Sequence, residues 1–218
     1  MSRTMYQASA QTFSHNLKNL SAMLKAAARH AKAKGIDPDV LLIARLAPDM
    51  LSLVRQVQIV TDHAKGASAR LAGVVSPVFK DDETSFAELE ARIKKTLAFI
   101  RTLKAAQFEG SESREVAMVM PIGKISFNGA DYLNGFALPN FYFHLTTAYN
   151  ILRHNGVELG KKDFLGMMPG VQMSGKLARM MGAKPAAKKT APRKAAAKPA
   201  KKPAKKAAAK KAAPKKKS

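Results

Sequence analysis

The segment from Leu138 to Gly156 constrains the fold most, because nearly every face of the helix that it predicts is apolar. Pro139 fits the first turn of a helix, where its missing N–H costs no hydrogen bond, and Gly156 is typical of the residue that follows a helix end. The apolar positions between them are Phe141, Tyr142, Phe143, Leu145, Tyr149, Ile151 and Leu152. A helix that is apolar almost all round lies in a core. We therefore expect the folded part of the chain to pack around this segment.

Three further long helices are predicted where apolar residues recur every three or four positions. The first covers residues 4–34, and the second opens at Pro48 and continues to about Leu71. The third begins at Ser85 and Glu88, whose spacing is that of a capping box, in which each side chain accepts a hydrogen bond from the backbone N–H of the other residue.

The pattern changes from helix to strand before the last helix. Apolar and polar side chains alternate in residues 115–120 and 124–128, with a Gly at 123 between them, which predicts a small antiparallel hairpin. Residues 157–166 are predicted to be an extension that docks on the helices. We therefore expect an all-α fold: a four-helix bundle with a long third crossover and a small β-hairpin before the fourth helix.

The charge of the chain is concentrated at one end. The formal net charge is +23, but residues 183–218 hold 15 Lys and Arg and no Asp or Glu, which leaves an excess of eight positive charges in residues 1–182. No apolar side chain in this stretch is larger than those of Ala and Pro, so it cannot form a core and is predicted to be disordered. The predicted domains are a bundle (1–166), a Met-rich segment (167–182), either a linker or an apolar contact segment, and a basic tail (183–218).

The basic tail indicates a partner that carries phosphates. Its Lys/Ala/Pro repeats resemble the tails of linker histones and of bacterial nucleoid-associated proteins, which implies binding to DNA or RNA by phosphate neutralisation. We expect little sequence specificity, because the tail has no aromatic residue and its only Arg is Arg193. An acidic membrane surface is an alternative partner. The predicted nucleic-acid-binding residues are Lys184, Lys188, Lys189, Arg193, Lys194, Lys198, Lys201, Lys202, Lys205, Lys206, Lys210, Lys211, Lys215, Lys216 and Lys217.

Two absences limit the chemistry and the location of the chain. It contains no cysteine, which excludes disulfides, thiolate catalysis and cysteine-ligated metals. Its N-terminus lacks the apolar run of a signal peptide, and no run of 18 apolar residues predicts a membrane span. We therefore expect a cytoplasmic protein, associated with the nucleoid through its tail.

Four polar residues on the second and fourth predicted long helices are candidates for a pocket. Asn140 and His144 are four residues apart and so lie on one helix face, and Gln58 and Asp62 have the same spacing. Buried polar side chains satisfy either one another or a ligand. The four residues therefore predict either a hydrogen-bonded core or a small-molecule pocket, in which Asp62 and His144 have the chemistry of a general-base pair.

Several blocks of the sequence resemble an uncharacterised bacterial family, a "domain of unknown function" in the superfamily of DinB-like four-helix bundles. The resemblance covers about residues 5–166, and its most specific part is the region of LPNFYFH and AYNILRHNG. The other blocks that carry it are RLAPDM (45–50), RQVQIVTDHAKG (55–66) and SFAELEARI (85–93). It implies a DinB-like four-helix bundle, the architecture that the helical pattern predicts independently.

The same resemblance bears on metal binding and catalysis. Many DinB-like proteins bind a divalent metal through one His on the second helix and an H-x-x-x-H pair on the fourth, and some are thiol-dependent transferases. Here His144 matches the second His of the pair, while Asn140 occupies the first position. Gln58 is the best match on the second helix, with His63 on a different face. Amides are poor ligands for transition metals, so we predict no cofactor, with a weakly held divalent metal as the alternative.

Two classes of function remain open from the sequence. The first is a binding module, a DinB-like bundle tethered non-specifically to DNA or RNA by its tail. The second is an enzyme, a transferase or hydrolase, that uses the pocket at Gln58, Asp62, Asn140 and His144, with the tail only localising it. A homodimer formed through the bundle is compatible with either class.

Overall fold

The computed structural model describes residues 3–120, 123–167, 170–172 and 174–176. The predicted tail and most of the predicted Met-rich segment lie outside these residues. The chain divides into two units, of which Met1–Val171 is the one whose fold is described here.

The described part is mostly helical, with one two-stranded antiparallel sheet, as the sequence predicts. A π-helical turn, Gln7–Gln11, precedes the first helix, a 3₁₀ turn, Ala105–Phe108, precedes the hairpin, and a second π-helical turn, Tyr132–Ala137, precedes α6. The elements are α1 (Thr12–Lys34), α2 (Pro38–Ile43), α3 (Leu53–Ala72), α4 (Phe86–Thr102), β1 (Glu115–Met120), β2 (Gly123–Asn128), α5 (Gly129–Asp131), α6 (Leu138–His154) and α7 (Lys161–Leu165). The long helices α1, α3, α4 and α6 form the bundle.

Local capping sets two of the helix ends that the sequence predicts. The Ser85 hydroxyl accepts from the Glu88 backbone N–H at 3.2 Å, and the Ser85 N–H donates to Glu88 Oε2 at 3.0 Å, so the capping box of α4 is confirmed. Gly35 ends α1 in the left-handed region, with φ of 64°, where a residue without a Cβ is favoured.

The start of α3 was predicted too early, because a turn intervenes. The backbone N–H of Met50 donates to the Ala47 carbonyl at 3.0 Å, which closes a turn at Pro48. The Leu53 N–H donates back to the Ala44 carbonyl at 2.9 Å, so it is bound outside the helix. The helix therefore begins at Leu53, one turn after the proline.

α6 packs against α3 and α1 but is not buried on every face. Phe141, Leu145 and Leu152 are each at most 1% exposed, whereas Tyr142 is 36% and Phe143 58% exposed. Tyr142 and Phe143 are therefore two apolar positions of the predicted core helix that the core does not fully bury. Tyr142 lies at the edge of α6 beside α1, where its hydroxyl accepts a hydrogen bond from Asn16 Nδ2 at 3.3 Å.

The hairpin and the C-terminal extension both cover the helices. Val116 of β1 is buried, and Phe127 of β2 lies 5.9 Å, between ring centroids, from Phe136 at the start of the α6 region. α7 docks on α1, where His15 Nε2 lies 2.7 Å from the Leu165 carbonyl oxygen. Of the helices that the structure describes, none has the length and apolarity needed to cross a membrane.

Candidate functional site

Gln58 and Asp62, two of the predicted pocket residues, lie in an ionic cluster around Arg92. The Arg92 side chain extends from α4 and is only 1% exposed. α3 contributes Gln58 and Asp62, and the loop between α3 and α4 contributes Asp81 and Glu83. The cluster therefore connects two bundle helices to the loop that joins them.

The Arg92 guanidinium is hydrogen-bonded and paired on all sides. It donates to Thr61 Oγ1, the Lys80 carbonyl oxygen, Glu83 Oε1 and Asp62 Oδ1 at 2.7 to 3.1 Å. Its Nη2 also lies 3.0 Å from Asp81 Oδ1, which makes a further ion pair. Burial of a charge is costly unless the charge is paired and hydrogen-bonded. Here both conditions are met, which explains how an arginine is accommodated among buried residues.

Further cations balance the carboxylates. Lys65 Nζ lies 2.6 Å from Asp62 Oδ1, and Arg55 Nη1 lies 2.8 Å from Asp81 Oδ2. Partial burial works against ionisation of Asp81, but hydrogen bonds and charge from Arg55 and Arg92 lower its pKa. With three cations and three carboxylates the group is electrically balanced. We call it the Arg92 cluster, formed by Arg55, Gln58, Asp62, Lys65, Asp81, Glu83 and Arg92.

Both ends of the Gln58 amide are used within the Arg92 cluster. Gln58 Oε1 accepts from Arg55 Nη1 at 2.6 Å, and its Nε2 donates to Glu83 Oε2 at 2.8 Å. The Phe79 ring covers the cluster, with Lys65 Nζ 4.8 Å from its centroid. These contacts make Gln58 and Asp62 part of the attachment of the α3–α4 loop.

His144, the third predicted residue, faces α3 at a different position. Its Nδ1 lies 2.7 Å from Gln56 Oε1. Its ring stacks on that of His63, with centroids 5.8 Å apart and planes inclined by 18°. We call Gln56, His63 and His144 the histidine site.

The hydrogen bonds of Gln56 fix the tautomer of His144. Gln56 Nε2 donates to the Leu51 carbonyl oxygen at 3.0 Å, so its Oε1 is the atom that faces His144. An amide oxygen can only accept, and His144 Nδ1 therefore carries the proton. The lone pair of the imidazole is then on Nε2, the atom that can accept a proton or a hydrogen bond.

Both histidines of the site are neutral at pH 7. Burial, and after it the neighbouring His144, lowers the pKa of His63 to about 4. Burial also lowers the pKa of His144 from its ordinary value of 6.5. Neither ring therefore carries the charge that would repel the other.

Asn140, the fourth predicted residue, binds its own segment of chain. Its Nδ2 donates to the Phe136 carbonyl oxygen at 2.7 Å, which ties α6 to the turn before it. Asn140 and His144 are one turn apart on α6, but their hydrogen bonds go to partners other than those of Gln58 and Asp62. A single pocket formed by all four residues remains a prediction.

The α3 residues that meet His144 are not among the four predicted pocket residues. His63 lies on a different face of α3 from Gln58 and Asp62, and that face is the one that meets α6, since the His63 ring stacks on His144. Gln56, Val60 and His63 recur at four- and three-residue spacing and so share one face of α3. This stripe was the signal in the sequence that could have identified them.

The donor set of the histidine site does not fit the three-ligand metal site that the family resemblance implies. In the residues that the structure describes, no three His, Cys, Asp or Glu side chains converge in a geometry for a metal ion. Zinc sites use at least three protein ligands, and the third position is Asn140, a neutral amide that donates to the Phe136 carbonyl. No metal-dependent step follows from these residues.

Four clefts of 260 to 380 Å³ lie on other parts of the bundle. The two of 380 and 260 Å³ flank the first turns of α1, and those of 340 and 310 Å³ lie at its C-terminal end and beside the chain's N-terminal segment. None of these four is lined by Gln58, Asp62, Asn140 or His144.

The helical bundle, with its hairpin before the last long helix, is a DinB-like fold. The crystal structure of a DinB family member from Shewanella denitrificans is similar to it with a TM-score of 0.72 and 42% sequence identity, over 78% of this chain and 96% of that one. Residues 5–165 match the model of a domain of unknown function, DUF1993, and the chain belongs to that family. A comparison with curated proteins gives no match.

Proposed function

We propose that this protein is a DinB-like bundle tethered to nucleic acid by its basic tail. The observation that carries the proposal is the charge of residues 183–218, where 15 of 36 residues are Lys or Arg and none is acidic. A solvated surface usually mixes both signs of charge, whereas this stretch has only one. Such a segment attracts a polyanion over its whole length.

The physical basis of the tether is counterion release. Each Lys or Arg that neutralises a phosphate frees a condensed cation, so the affinity falls steeply as salt rises. Contacts of this kind position a protein on nucleic acid without reading its sequence. The tail therefore binds DNA or RNA without sequence specificity and holds the bundle close to the nucleic acid.

Removal of the tail tests the proposal. Deletion of residues 183–218 is expected to abolish gel retardation of duplex DNA at low salt, while the helical content and the melting of the remaining bundle stay unchanged. A matched control keeps the length of the chain and replaces the 15 basic residues of the tail by Gln, and it should fail to retard DNA as well. Retardation by the truncated chain equal to that of the full chain would sink the proposal.

A second candidate function, an enzyme or small-molecule binder, is favoured by the fixed tautomer of His144. An imidazole that is oriented through Nδ1 and presents a lone pair on Nε2 has the arrangement of a general base. Gln56 provides the orientation here, through the 2.7 Å hydrogen bond to His144 Nδ1. This hydrogen bond therefore supports a candidate enzymatic or ligand-binding function at the histidine site rather than in the four-residue pocket predicted from the sequence.

A thermal-shift screen of small polar molecules, with Zn²⁺ and Ni²⁺ as separate probes, tests this second candidate. A ligand at a hundred times its Kd stabilises a protein by about 2.7 kcal/mol, which raises the Tm of a domain of this size by roughly 5–10 °C. The shift should disappear in His144→Ala and be present at pH 7 in the wild type, because burial lowers the His144 pKa from its usual 6.5 and the ring is then neutral. If His144→Ala lowers the Tm and no probe shifts the wild type, the histidine is structural.

A further inference from the structure

We propose that a basic seam between α1 and α4 is a second surface of this chain for nucleic-acid phosphates. The inference rests on the tail-mediated binding proposed above and adds a contact made by the bundle itself. The seam consists of Lys18, Lys25, Arg29 and Lys32 on α1 and of Lys94 and Arg101 on α4.

The α1 side of the seam is a continuous stripe of positive charge. The first 36 residues contain six Lys and Arg and no Asp or Glu. Lys18, Lys25, Arg29 and Lys32 follow one another at intervals of seven, four and three residues, which puts them on one face of the helix, and all four are exposed. The stripe is about 21 Å long at a rise of 1.5 Å per residue.

α4 lies antiparallel to α1 and adds charge to the same seam. Lys25 Nζ lies 3.7 Å from Glu90 Oε2, and Lys18 lines the same cleft as Arg101, which fixes how the two helices face each other. Lys94 is four residues after Glu90 and seven before Arg101, so it lies on the same face of α4. Glu90 is the one acidic residue of the described chain that pairs with a seam cation.

A cleft of about 380 Å³ at one end of the seam has the lining that a phosphate group needs. Lys18 and Arg101 are its charged lining residues, and Ser14 and Gln11 add neutral hydrogen-bond donors. No carboxylate lines it. Arginine binds phosphate oxygens with two parallel N–H donors, and the hydroxyl and amide groups supply further donors of the kind that contact phosphates.

The length of the seam favours nucleic acid over a small anion as its partner. One phosphate group would occupy only the cleft at Lys18 and Arg101, and the rest of the stripe would have no partner. A nucleic-acid strand presents phosphates repeatedly, and about 21 Å corresponds to about six base pairs of a duplex at 3.4 Å per step. The repeated cations along one face of α1 therefore suit a nucleic-acid backbone that runs beside the helix.

The seam and the tail belong to one chain and can reinforce each other. When the tail is bound, the bundle stays at a high effective concentration near the same nucleic acid, so a seam that binds only weakly by itself still adds to the affinity. The seam would also fix which face of the bundle approaches the nucleic acid, which a flexible tether alone does not do.

The test compares two triple variants of the full chain that lower the net charge equally. The seam variant carries Lys18→Gln, Lys94→Gln and Arg101→Gln, and the control carries Lys80→Gln, Lys161→Gln and Lys162→Gln, all at exposed positions. Exposed substitutions usually change stability by at most about 0.5 kcal/mol, and thermal melting of both variants checks this. The probe is a duplex of 30 base pairs, with affinity measured by fluorescence anisotropy between 50 and 200 mM salt.

The seam variant is expected to bind about ten- to a hundredfold more weakly than the control at 50 mM salt, with a log–log salt slope shallower by about two to three. Equal affinities and equal slopes of the two variants would overturn the seam. That result would leave the tail proposal untouched, because the tail proposal fails only if the wild-type chain and the chain without residues 183–218 bind alike. Tight binding of inorganic phosphate that the duplex does not displace would also overturn the seam as a nucleic-acid surface.

Discussion

Replacement of Arg92 by Met is expected to lower the free energy of unfolding by about 3–5 kcal/mol, the usual cost of removing one partner from a buried ionic network. The Arg92 side chain is 1% exposed, donates hydrogen bonds to Thr61, Lys80, Glu83 and Asp62, and forms a further ion pair with Asp81. Its loss leaves Asp62, Asp81 and Glu83 close together with only the two outer cations. Carboxylates crowded in this way repel one another and are partly desolvated, so the α3–α4 loop should detach.

Arg101→Met is the matched control for this measurement. Arg101 lies on the same helix and loses the same chemical group, but its side chain is exposed, so the expected change is within about 0.5 kcal/mol. Arg92→Lys should fall between the two, because it keeps the charge but supplies three donors in place of five. Urea unfolding followed by circular dichroism gives the three values. A loss of less than about 1 kcal/mol in Arg92→Met would contradict the role assigned to the cluster.

Features fixed by short-range chemistry could be predicted from the sequence. The capping box at Ser85 and Glu88 depends on two residues three positions apart, and the structure confirms both of its hydrogen bonds. The hairpin follows from alternation in two adjacent segments, and its register pairs Val116 with Phe127. The start of α3 could not be predicted in this way, because the Leu53 N–H is taken by the distant Ala44 carbonyl.

The site could be predicted only in part, since α3 is buried on most of its faces. Gln56 and Gln58 are both 1% exposed, so a pattern of apolar residues does not show which amide meets which neighbouring helix. The structure assigns Gln56 to His144 on α6 and Gln58 to Glu83 in the loop before α4. Long-range packing decides which glutamine meets which neighbouring element. The spacing of apolar residues along a single sequence does not contain that information.

Arg92 was missed for a related reason, although a signal was present. It lies three residues after Leu89 and four before Thr96, both of them buried, which puts a charged side chain on the apolar face of α4. A charge at such a position demands carboxylate partners. Asp81 and Glu83 precede Arg92 by 11 and 9 residues, whereas Asp62 lies 30 residues before it on another helix, and the convergence of all three on Arg92 required the three-dimensional structure.

Salt should affect binding by the full chain more than any single substitution in the bundle. The tail carries 15 positive charges. If it contacts about 6–10 phosphates at a time, the affinity for duplex DNA should fall by about 10³–10⁵-fold between 50 and 200 mM salt. A fall of this size is specific to counterion release, since apolar contacts and neutral hydrogen bonds depend far less on salt in this range.

The most direct test of the tether is therefore the log–log salt slope of duplex binding, measured for the full chain and for residues 1–182. We expect a slope of about −5 to −9 for the full chain, from about 0.9 for each of about 6–10 phosphate contacts. For the truncated chain, to which only the seam would contribute, we expect binding too weak to retard DNA in a gel and a slope of about −3 or shallower. Equal slopes for the two chains would contradict the proposed tether, because the phosphate contacts would then not come from the tail.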